Sequence, residues 1–181
     1  MIIEIKNVQF VNKGAELMLY AIMQQLEEYD SSINFCVVPA KNAPLFKRME
    51  LKLLQKVNFR KNILDFSALT YFLPKKFRRL LIESYGVVTE ADVDLVLDAS
   101  GFSYGEQWSR VVIKQLAIEV ARFKRKAKPY IFMSQALGPF GGKYVGPAKK
   151  AFSSATLVFS RDLESFNYVD QLIGKSSQHT L

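Results

Sequence analysis

Short apolar segments that alternate with amphipathic helices are the feature that most constrains the fold of this chain. Residues 1–5 carry three isoleucines and read as a buried strand. After a polar loop, apolar residues return at helical spacing over residues 15–29. Further strands are predicted at residues 33–39, 93–98, 130–134 and 156–160. Because strands that alternate with helices form parallel sheets, we predict an α/β fold with a doubly wound, mostly parallel, Rossmann-like sheet.

Helices are predicted between these strands. The spacing of apolar residues indicates helices at residues 42–54, 107–126, 145–152 and 163–173. Residues 57–85 have a weaker pattern, which we interpret as broken helices interrupted at Pro74. The helix at residues 107–126 has the clearest pattern, and its predicted buried face consists of Trp108, Val112, Leu116, Val120 and Phe123.

The length of the chain favours one domain. Its 181 residues can bury one good core and are few for two. We therefore predict a single Rossmann-like unit over residues 1–173 and a polar tail over residues 174–181, which show no periodicity. No apolar run is long enough to span a bilayer, and Glu4 and Lys6 interrupt the only N-terminal apolar stretch. The expected location is therefore cytoplasmic.

The single cysteine and the single histidine restrict the chemistry. Cys36 lies in an apolar segment and is expected to be a small core residue, with no partner for an internal disulfide. His179 lies in the predicted polar tail. Neither a histidine-based metal site nor a Ser-His-Asp triad is therefore expected, and no metal site is predicted.

The positive charge is concentrated in one segment. Residues 41–80 contain eleven basic and two acidic side chains, a net charge of +9, whereas the rest of the chain carries −1. Within this segment an aromatic stretch precedes the basic cluster of Lys75, Lys76, Arg78 and Arg79. Two interpretations remain open: peripheral contact with an anionic membrane, at the inner face in a cytoplasmic protein, or a solvated helix face packed on the domain. No recognition motif accompanies the charge, so nucleic acid is not an expected partner.

Four loops are expected to meet at one edge of the sheet. Loops that follow parallel strands open on the same side, where α/β proteins bind their ligands. The loops are residues 12–16, 98–108, 135–140 and 160–165. Each also has a purely structural explanation. Asp98 could cap a turn, Gly138 and Pro139 could reverse the chain, and Arg161 with Asp162 could form a surface ion pair.

Taken together, the loops resemble the marker segments of the polysaccharide pyruvyl transferase family. The segments are Asn-Lys-Gly-Ala-Glu-Leu-Met-Leu at residues 12–19, Asp-Ala-Ser-Gly-Phe at 98–102 with Tyr-Gly-Glu-Gln-Trp at 104–108, Ser-Gln-Ala-Leu-Gly-Pro-Phe at 134–140, and Ser-Arg-Asp-Leu-Glu-Ser at 160–165. Their order and spacing carry the resemblance, which covers residues 1–173. Many members have a richer glycine run where this chain has Asp-Ala-Ser-Gly. The smaller number of glycines in this chain leaves less room for backbone amides to surround a phosphate.

The resemblance implies an enzyme that transfers the pyruvyl unit of phosphoenolpyruvate to a sugar and releases phosphate. The implied acceptor is a sugar or lipid-linked oligosaccharide of a cell-surface or exopolysaccharide, and phosphoenolpyruvate is the donor substrate, with no cofactor. It also implies two facing domains of GT-B type, of which this chain corresponds to the N-terminal, acceptor-binding one. The C-terminal half would then be absent or a separate polypeptide, and the isolated chain is expected to be inactive.

Chemical roles follow for individual residues. In the first loop, Asn12 is expected to cap the helix and Gly14 to let backbone approach a ligand. The carboxylate of Glu16 would repel a phosphate at this helix end. This favours hydrogen bonds between sugar hydroxyls and the side chains of Glu16 and Asn12. Alternatively, Glu16 could simply stabilise its own helix. Asp98 is a candidate base and Arg161 a candidate anion ligand, and these two are the predicted catalytic residues.

The remaining assignments concern substrate binding. The predicted substrate-binding residues are Asn12, Gly14, Glu16, Gly101, Phe102, Gln135, Gly138 and Asp162. Gln135 and the turn at residues 138–140 are expected to shape the wall of the site. Two other functions remain open: a GT-B glycosyltransferase domain that uses a sugar nucleotide, and a noncatalytic sugar-binding remnant.

Overall fold

The computed structural model of the chain describes residues 1–61 and 64–181, and its elements belong to two units, residues 1–99 and residues 100–181. The first unit contains β1 (Ile2–Lys6), α1 (Lys13–Tyr29), β2 (Asn34–Val37), α2 (Leu45–Glu50), β3 (Leu54–Lys56), β4 (Arg60–Lys61), β5 (Leu64–Asp65), a 3-10 helix (Ser67–Phe72), α3 (Lys75–Tyr85), β6 (Val87–Val88), a second 3-10 helix (Glu90–Asp92) and β7 (Leu95–Asp98).

The strand β1 is the centre of the first unit. It pairs in parallel with β2 on one side and with β7 on the other, so that Ile3 is aligned with both Phe35 and Leu95. Parallel pairing continues from β2 to β3 and from β3 to β6, while β4 and β5 form a separate antiparallel pair. Ile3 and Ile5 are completely buried, because both faces of a parallel sheet are covered in α/β folds.

A buried ion pair crosses this sheet. Nζ of Lys56 on β3 lies 2.5 Å from Oε2 of Glu4 on β1, and both side chains are almost fully excluded from solvent. Cys36 on β2 is aligned with Glu4 in the sheet and is completely buried. Burial raises the pKa of the Cys36 thiol well above its ordinary value, with the charge of Glu4 adding to the effect. The prediction that Cys36 is a core residue is confirmed.

The second unit contains three parallel strands and three helices. They are α4 (Arg110–Arg125), β8 (Tyr130–Gln135), a 3-10 helix (Gly142–Tyr144), α5 (Val145–Ser154), β9 (Leu157–Ser160), α6 (Leu163–Ile173) and β10 (His179–Thr180). The strand β9 pairs with β8 and with β10. The helix α5 packs against both α4 and α6. Aromatic rings of Tyr130, Phe132 and Phe152 form successive contacts in the core, with centroids 5.1 and 5.2 Å apart.

The predicted α/β class with a parallel, Rossmann-like sheet is confirmed, and the helix predicted at residues 163–173 has the predicted bounds. A single domain over residues 1–173 stays a prediction. None of the helices in the described ranges has the length and apolar character that crossing a bilayer requires.

The predicted helix at residues 42–54 is wrong in extent. The structure contains only the short helix α2, after which the backbone of Lys52 takes a positive φ of 52°. Leu53 then donates its N–H to the carbonyl of Arg48, and Leu54 begins β3. The apolar pair Leu53 and Leu54 therefore matched the helical spacing by chance, and pairing with β2 decides their conformation.

The broken helices predicted at residues 57–85 are wrong for the first part of that range. The segment begins with β4 and β5 and a 3-10 helix, and only α3 is a regular helix. Pro74 does separate the two helical segments, as predicted, because it directly precedes α3. Residues 62 and 63 of this prediction lie outside the described residues.

The buried face of α4 differs from the predicted one. Leu116, Val120 and Phe123 are buried as predicted, but Trp108 and Val112 are exposed and Ile113 and Ala117 occupy the core. Trp108 precedes the helix, whose first turn is capped by Ser109. Residues spaced strictly by four drift around a helix of 3.6 residues per turn, so the predicted series left the buried face at its N-terminal end.

Candidate functional site

The carboxyl ends of β1 and β7 bring Lys6 and Asp98 together. The two residues are aligned in the parallel sheet, and Nζ of Lys6 lies 4.0 Å from Oδ2 of Asp98. Ala99 donates its N–H to the carbonyl of Lys6 at 3.3 Å. The Asp98 side chain is completely buried, whereas that of Lys6 is partly exposed. Asp98 therefore lies at a strand end, as predicted, but is covered rather than open to solvent.

The start of α1 is organised by Asn12, as predicted. Its Oδ1 accepts hydrogen bonds from the N–H groups of Gly14, at 3.0 Å, and Ala15, at 3.4 Å. The structure also places Nζ of Lys13 only 2.7 Å from Oε2 of Glu16. This hydrogen bond lowers the pKa of Glu16, and the charge of Lys47 acts in the same direction. The Glu16 carboxylate is thus ionised and paired within its own helix, and its contact with a sugar hydroxyl stays a prediction.

Two loops of the second unit are joined by backbone hydrogen bonds. Ala136 donates its N–H to the carbonyl of Gly101 at 2.9 Å, and Gly138 donates to Tyr104 at 3.0 Å. Glu106 closes the connection by donating to Pro139 at 3.0 Å. The segment after residue 100 therefore runs beside the segment that follows β8, as loops at one edge of a parallel sheet are expected to do.

Two glycines permit this close approach. Gly138 has a φ of +90°, and a Cβ atom there would lie 2.6 Å from the ring of Tyr168. A Cβ atom on Gly105 would lie 2.5 Å from the carbonyl oxygen of Gly138. Both distances are shorter than real Cβ contacts, so a larger residue at Gly138 would displace Tyr168 on α6, and one at Gly105 would push the two loops apart. The predicted site residue Gly138 is therefore essential to the shape of the loop pair.

The third loop of this unit joins the other two. Arg161 donates its N–H to the carbonyl of Gln135 at 3.1 Å, and Leu137 donates to Oγ of Ser165 at 2.9 Å. Asp162 caps α6, since its Oδ1 accepts from the N–H of Ser165 at 2.8 Å. This backbone hydrogen bond is the main reason why the pKa of Asp162 is lowered. The Asp162 carboxylate has a structural role, and its predicted contact with substrate stays a prediction.

Arg161 presents its guanidinium to solvent. Its side chain is 58% exposed, and Nε lies 3.6 Å from Oδ2 of Asp162, which is longer than a hydrogen bond. An exposed pair of this kind contributes little to stability, as the surface ion-pair interpretation supposed. The same geometry leaves the donor face of the guanidinium accessible to an anion.

An exposed aromatic pair lies in the loop at residues 100–108. The rings of Phe102 and Trp108 meet edge to face, with centroids 6.3 Å apart, and the residues are 47% and 44% exposed. The hydroxyl of Tyr144 donates to the carbonyl of Trp108 at 3.2 Å and holds this end of the loop. Helical spacing placed Trp108 on a buried face, so it was not among the predicted site residues, whereas the structure exposes its ring. Its place in the Tyr-Gly-Glu-Gln-Trp segment was the available signal.

The predicted residues thus fall into local groups. At the start of α1 are Asn12, Gly14 and Glu16, and Asp98 lies against Lys6. Within residues 100–181, three hydrogen-bonded loops carry Gly101, Phe102, Gln135, Gly138, Arg161 and Asp162. Gln135 is completely buried, and its expected role in shaping the wall of a site stays a prediction.

His179 is buried rather than solvated in a polar tail. Because β10 pairs with β9, Nε2 of His179 lies 2.8 Å from Oγ of Ser160, and its ring stacks on Phe166 at 4.3 Å. Burial lowers the pKa of His179, with Asp170 opposing the effect. Ser160 is also buried, so this pair forms part of the core and does not present a serine nucleophile to solvent.

Comparison with known proteins identifies one family. The model of the polysaccharide pyruvyl transferase family matches residues 12–180. The match starts at Asn12, the cap of α1, and includes all four loops described above. No curated protein and no solved structure matches the chain significantly.

Proposed function

The chain belongs to the polysaccharide pyruvyl transferase family, and we propose that it acts in the transfer of a pyruvyl group from phosphoenolpyruvate to a sugar of a cell-surface or exopolysaccharide. The family match over residues 12–180 carries this proposal. We further propose that the acceptor is a sugar or a lipid-linked oligosaccharide and that phosphoenolpyruvate is used as a substrate without a separate cofactor.

The reaction defines which groups are needed. Two sugar hydroxyls lose their protons as their oxygens form bonds to C2 of phosphoenolpyruvate, and the bond from C2 to the phosphate oxygen breaks. One of the two protons is gained by the methylene carbon, and the other leaves with the phosphate. The products are a pyruvate ketal and phosphate. A base must accept a hydroxyl proton, and cationic groups must bind a donor that carries both a carboxylate and a phosphate.

Arg161 is the proposed ligand for the donor. A guanidinium can bind a carboxylate or phosphate through two parallel hydrogen bonds, which an ammonium cannot do. The exposed position of Arg161 and its loose 3.6 Å contact with Asp162 support this role. Arg161 is fixed at its backbone by the hydrogen bond to Gln135, so its side chain starts from a defined position in the loop.

Asp98 is the proposed base for the sugar hydroxyl. It lies at the carboxyl end of β7, next to Lys6, in a place where α/β folds carry reactive groups. Because the carboxylate is buried, this role requires the acceptor hydroxyl to reach it at the strand end. Asp98→Asn preserves the shape of the side chain and removes its basicity. If Asp98 had only a structural role, Asp98→Asn should change the stability of the chain without a selective loss of turnover.

The acceptor is proposed to bind at the aromatic pair of Phe102 and Trp108. The C–H groups on one face of a pyranose pack against aromatic rings, while its hydroxyls remain available for hydrogen bonds. Phe102 and Trp108 are the exposed aromatic residues of the loop, and they already contact one another. The pair thus offers a preformed apolar surface within the second unit.

The decisive experiment follows the carbon skeleton of the donor. Phosphoenolpyruvate labelled with ¹³C in the pyruvyl carbons is incubated with the chain and an oligosaccharide acceptor, and mass spectrometry detects the ketal while phosphate release is measured. Arg161→Lys should raise the donor concentration needed for half-maximal turnover or binding. Unchanged kinetics would remove Arg161 from the donor site.

The same assay distinguishes the two competing functions. Transfer from a sugar nucleotide, with no label incorporated from phosphoenolpyruvate, would support a GT-B glycosyltransferase domain. Sugar binding without turnover of either donor would support a noncatalytic sugar-binding protein. Binding of labelled phosphoenolpyruvate that is weakened by Arg161→Lys would keep the donor assignment even for a chain that is inactive alone.

A further inference from the structure

The helix α3 exposes large apolar side chains to solvent. Phe77 and Leu80 are separated by three positions and share one side of the helix, yet they are 47% and 53% exposed. No residue of α3 is completely buried, and its least exposed side carries Arg78, Leu81 and Ile82. Phe72, which ends the preceding 3-10 helix, is 84% exposed. An amphipathic helix normally directs such residues to the core, so this arrangement is unusual.

A basic residue attaches α3 to the rest of its unit. The guanidinium of Arg78 forms an ion pair with Asp92, and both side chains are largely buried. Arg78 also donates from Nε to the carbonyl of Leu73 at 3.3 Å. The inward side of the helix therefore carries Arg78 together with Leu81 and Ile82. Phe77 and Leu80 lie outside this inward side and are exposed.

Several basic side chains of residues 41–80 are held by other groups of the protein: Arg48 by the carbonyl of Ala43, Lys47 by Glu50, Lys56 by Glu4, Arg60 by Asp65, Arg78 by Asp92 and Arg79 by Glu83. Lys75 and Lys76 are exposed and line, with Arg78, Arg79, Ile82 and Asp92, one open groove of about 400 Å³. Exposed positive charge is thus located on the helix that exposes Phe77 and Leu80.

We propose that Phe72, Lys75, Lys76, Phe77, Arg79 and Leu80, here named the α3 surface, bind an anionic lipid bilayer. Aromatic and aliphatic side chains can enter the boundary between headgroups and acyl chains, while lysine and arginine interact with lipid phosphates. This occupant fits better than an uncharged protein surface, because the exposed charges of Lys75 and Lys76 interact favourably with anionic headgroups. It fits better than nucleic acid, because three exposed apolar side chains would remain uncovered.

The test is co-sedimentation of the whole 181-residue chain with vesicles. Vesicles of phosphatidylcholine alone are compared with vesicles of phosphatidylcholine and phosphatidylglycerol. We expect binding to the anionic vesicles only, and a decrease when salt is added. Since each basic residue near such a surface changes affinity by roughly fivefold, Lys75→Gln with Lys76→Gln should weaken binding about 25-fold.

A matched control removes the same charge elsewhere. Lys149 and Lys150 are also adjacent, exposed lysines, and they lie on α5. Lys149→Gln with Lys150→Gln should leave vesicle binding close to that of the unchanged chain. An equal loss in both double variants would show a general charge effect and overturn the proposal. Circular dichroism establishes that each variant is folded before vesicles are added.

The apolar part of the surface is tested separately. Phe72→Ser and Leu80→Ser preserve the charge and should each weaken binding to anionic vesicles, and inorganic phosphate at the same ionic strength should not compete. Unchanged affinity in these variants, or displacement by inorganic phosphate, would indicate an anion site instead of a membrane surface. Equal binding to both kinds of vesicle, no binding to either, or release of the chain from vesicles by duplex DNA would also overturn the proposal.

Discussion

Oγ of Ser160 lies 2.8 Å from Nε2 of His179, the single histidine of the chain. The contact joins the end of β9 to β10, and the imidazole is stacked on Phe166. Burial favours the neutral ring by lowering its pKa. The attachment of β10 therefore involves a histidine whose neutral form is favoured in the folded chain.

Stability should decrease as the pH falls below the ordinary histidine pKa. In the unfolded chain His179 takes up a proton near its ordinary pKa of 6.5, whereas the folded chain resists protonation because its pKa is lower. The contribution of His179 to the free energy of unfolding should thus be fully present above pH 6.5. It should be lost as the pH falls from that value towards the lower pKa of the folded chain. Urea unfolding measured from about pH 7.5 to pH 5.5 tests this expectation. His179→Gln should remove this dependence, and an equal slope in the variant would contradict the assignment.

Gly138→Ala should destabilise the joined loops. The added methyl group would meet the ring of Tyr168, and the φ of +90° is unfavourable for alanine. Together these effects should cost about 3 kcal/mol in the free energy of unfolding. Gly146→Ala is the matched control, because a Cβ atom at Gly146 meets nothing within 4 Å and the residue lies in a helix. Its stability should be unchanged or slightly higher, and equal losses in the two variants would show that the loop contact is unimportant.

Glu4 and Lys56 should contribute to the stability of the chain mainly through their interaction with one another. Lys56→Met leaves the Glu4 carboxylate buried without its 2.5 Å partner, which should cost roughly 3–5 kcal/mol. Adding Glu4→Leu removes the buried charge and should restore much of the lost stability. Denaturant unfolding of the two single variants and the double variant measures the coupling. Additive losses would show that the two residues do not interact energetically.

Sugar binding should be visible in the fluorescence of Trp108, the single tryptophan of the chain. A pyranose packed on the exposed ring should change its emission, so titration with oligosaccharide yields an affinity directly. Phe102→Ala should weaken this affinity about fivefold, because the edge-to-face partner is lost. Phe46→Ala is the control, since Phe46 is also exposed but lies on α2. No emission change at saturating sugar, or equal effects of the two variants, would exclude the aromatic pair as the acceptor site.

The elements that were predicted correctly are those whose sequence signals lie close together along the chain. The cap of α1 at Asn12 and the bounds of α6, between Asp162 and Gly174, depend on residues only a few positions apart. Other features depend on distant partners and were not readable from spacing. Leu54 is in a strand because β2 and β6 lie beside β3, and His179 is buried because β10 pairs with β9.

The same distinction applies to the candidate site. Parallel strands explain why the loops within residues 100–181 meet, and this was predicted from their positions after strands. Exposure was not predictable in this way. Asp98 is covered at its strand end, while Trp108 is exposed just before α4, because the packing of whole elements determines which side chains reach solvent.

The central position of β1 also constrains how the chain can fold during synthesis. Its neighbour β2 is made soon after it, but the N–H of Ile2 donates to Oδ2 of Asp94, which is 92 positions away. A ribosome that adds roughly 5–20 residues per second therefore leaves one edge of β1 without its native partner for several seconds. During that interval this edge of β1 offers unpaired backbone groups to other chains, until β7 emerges and covers it.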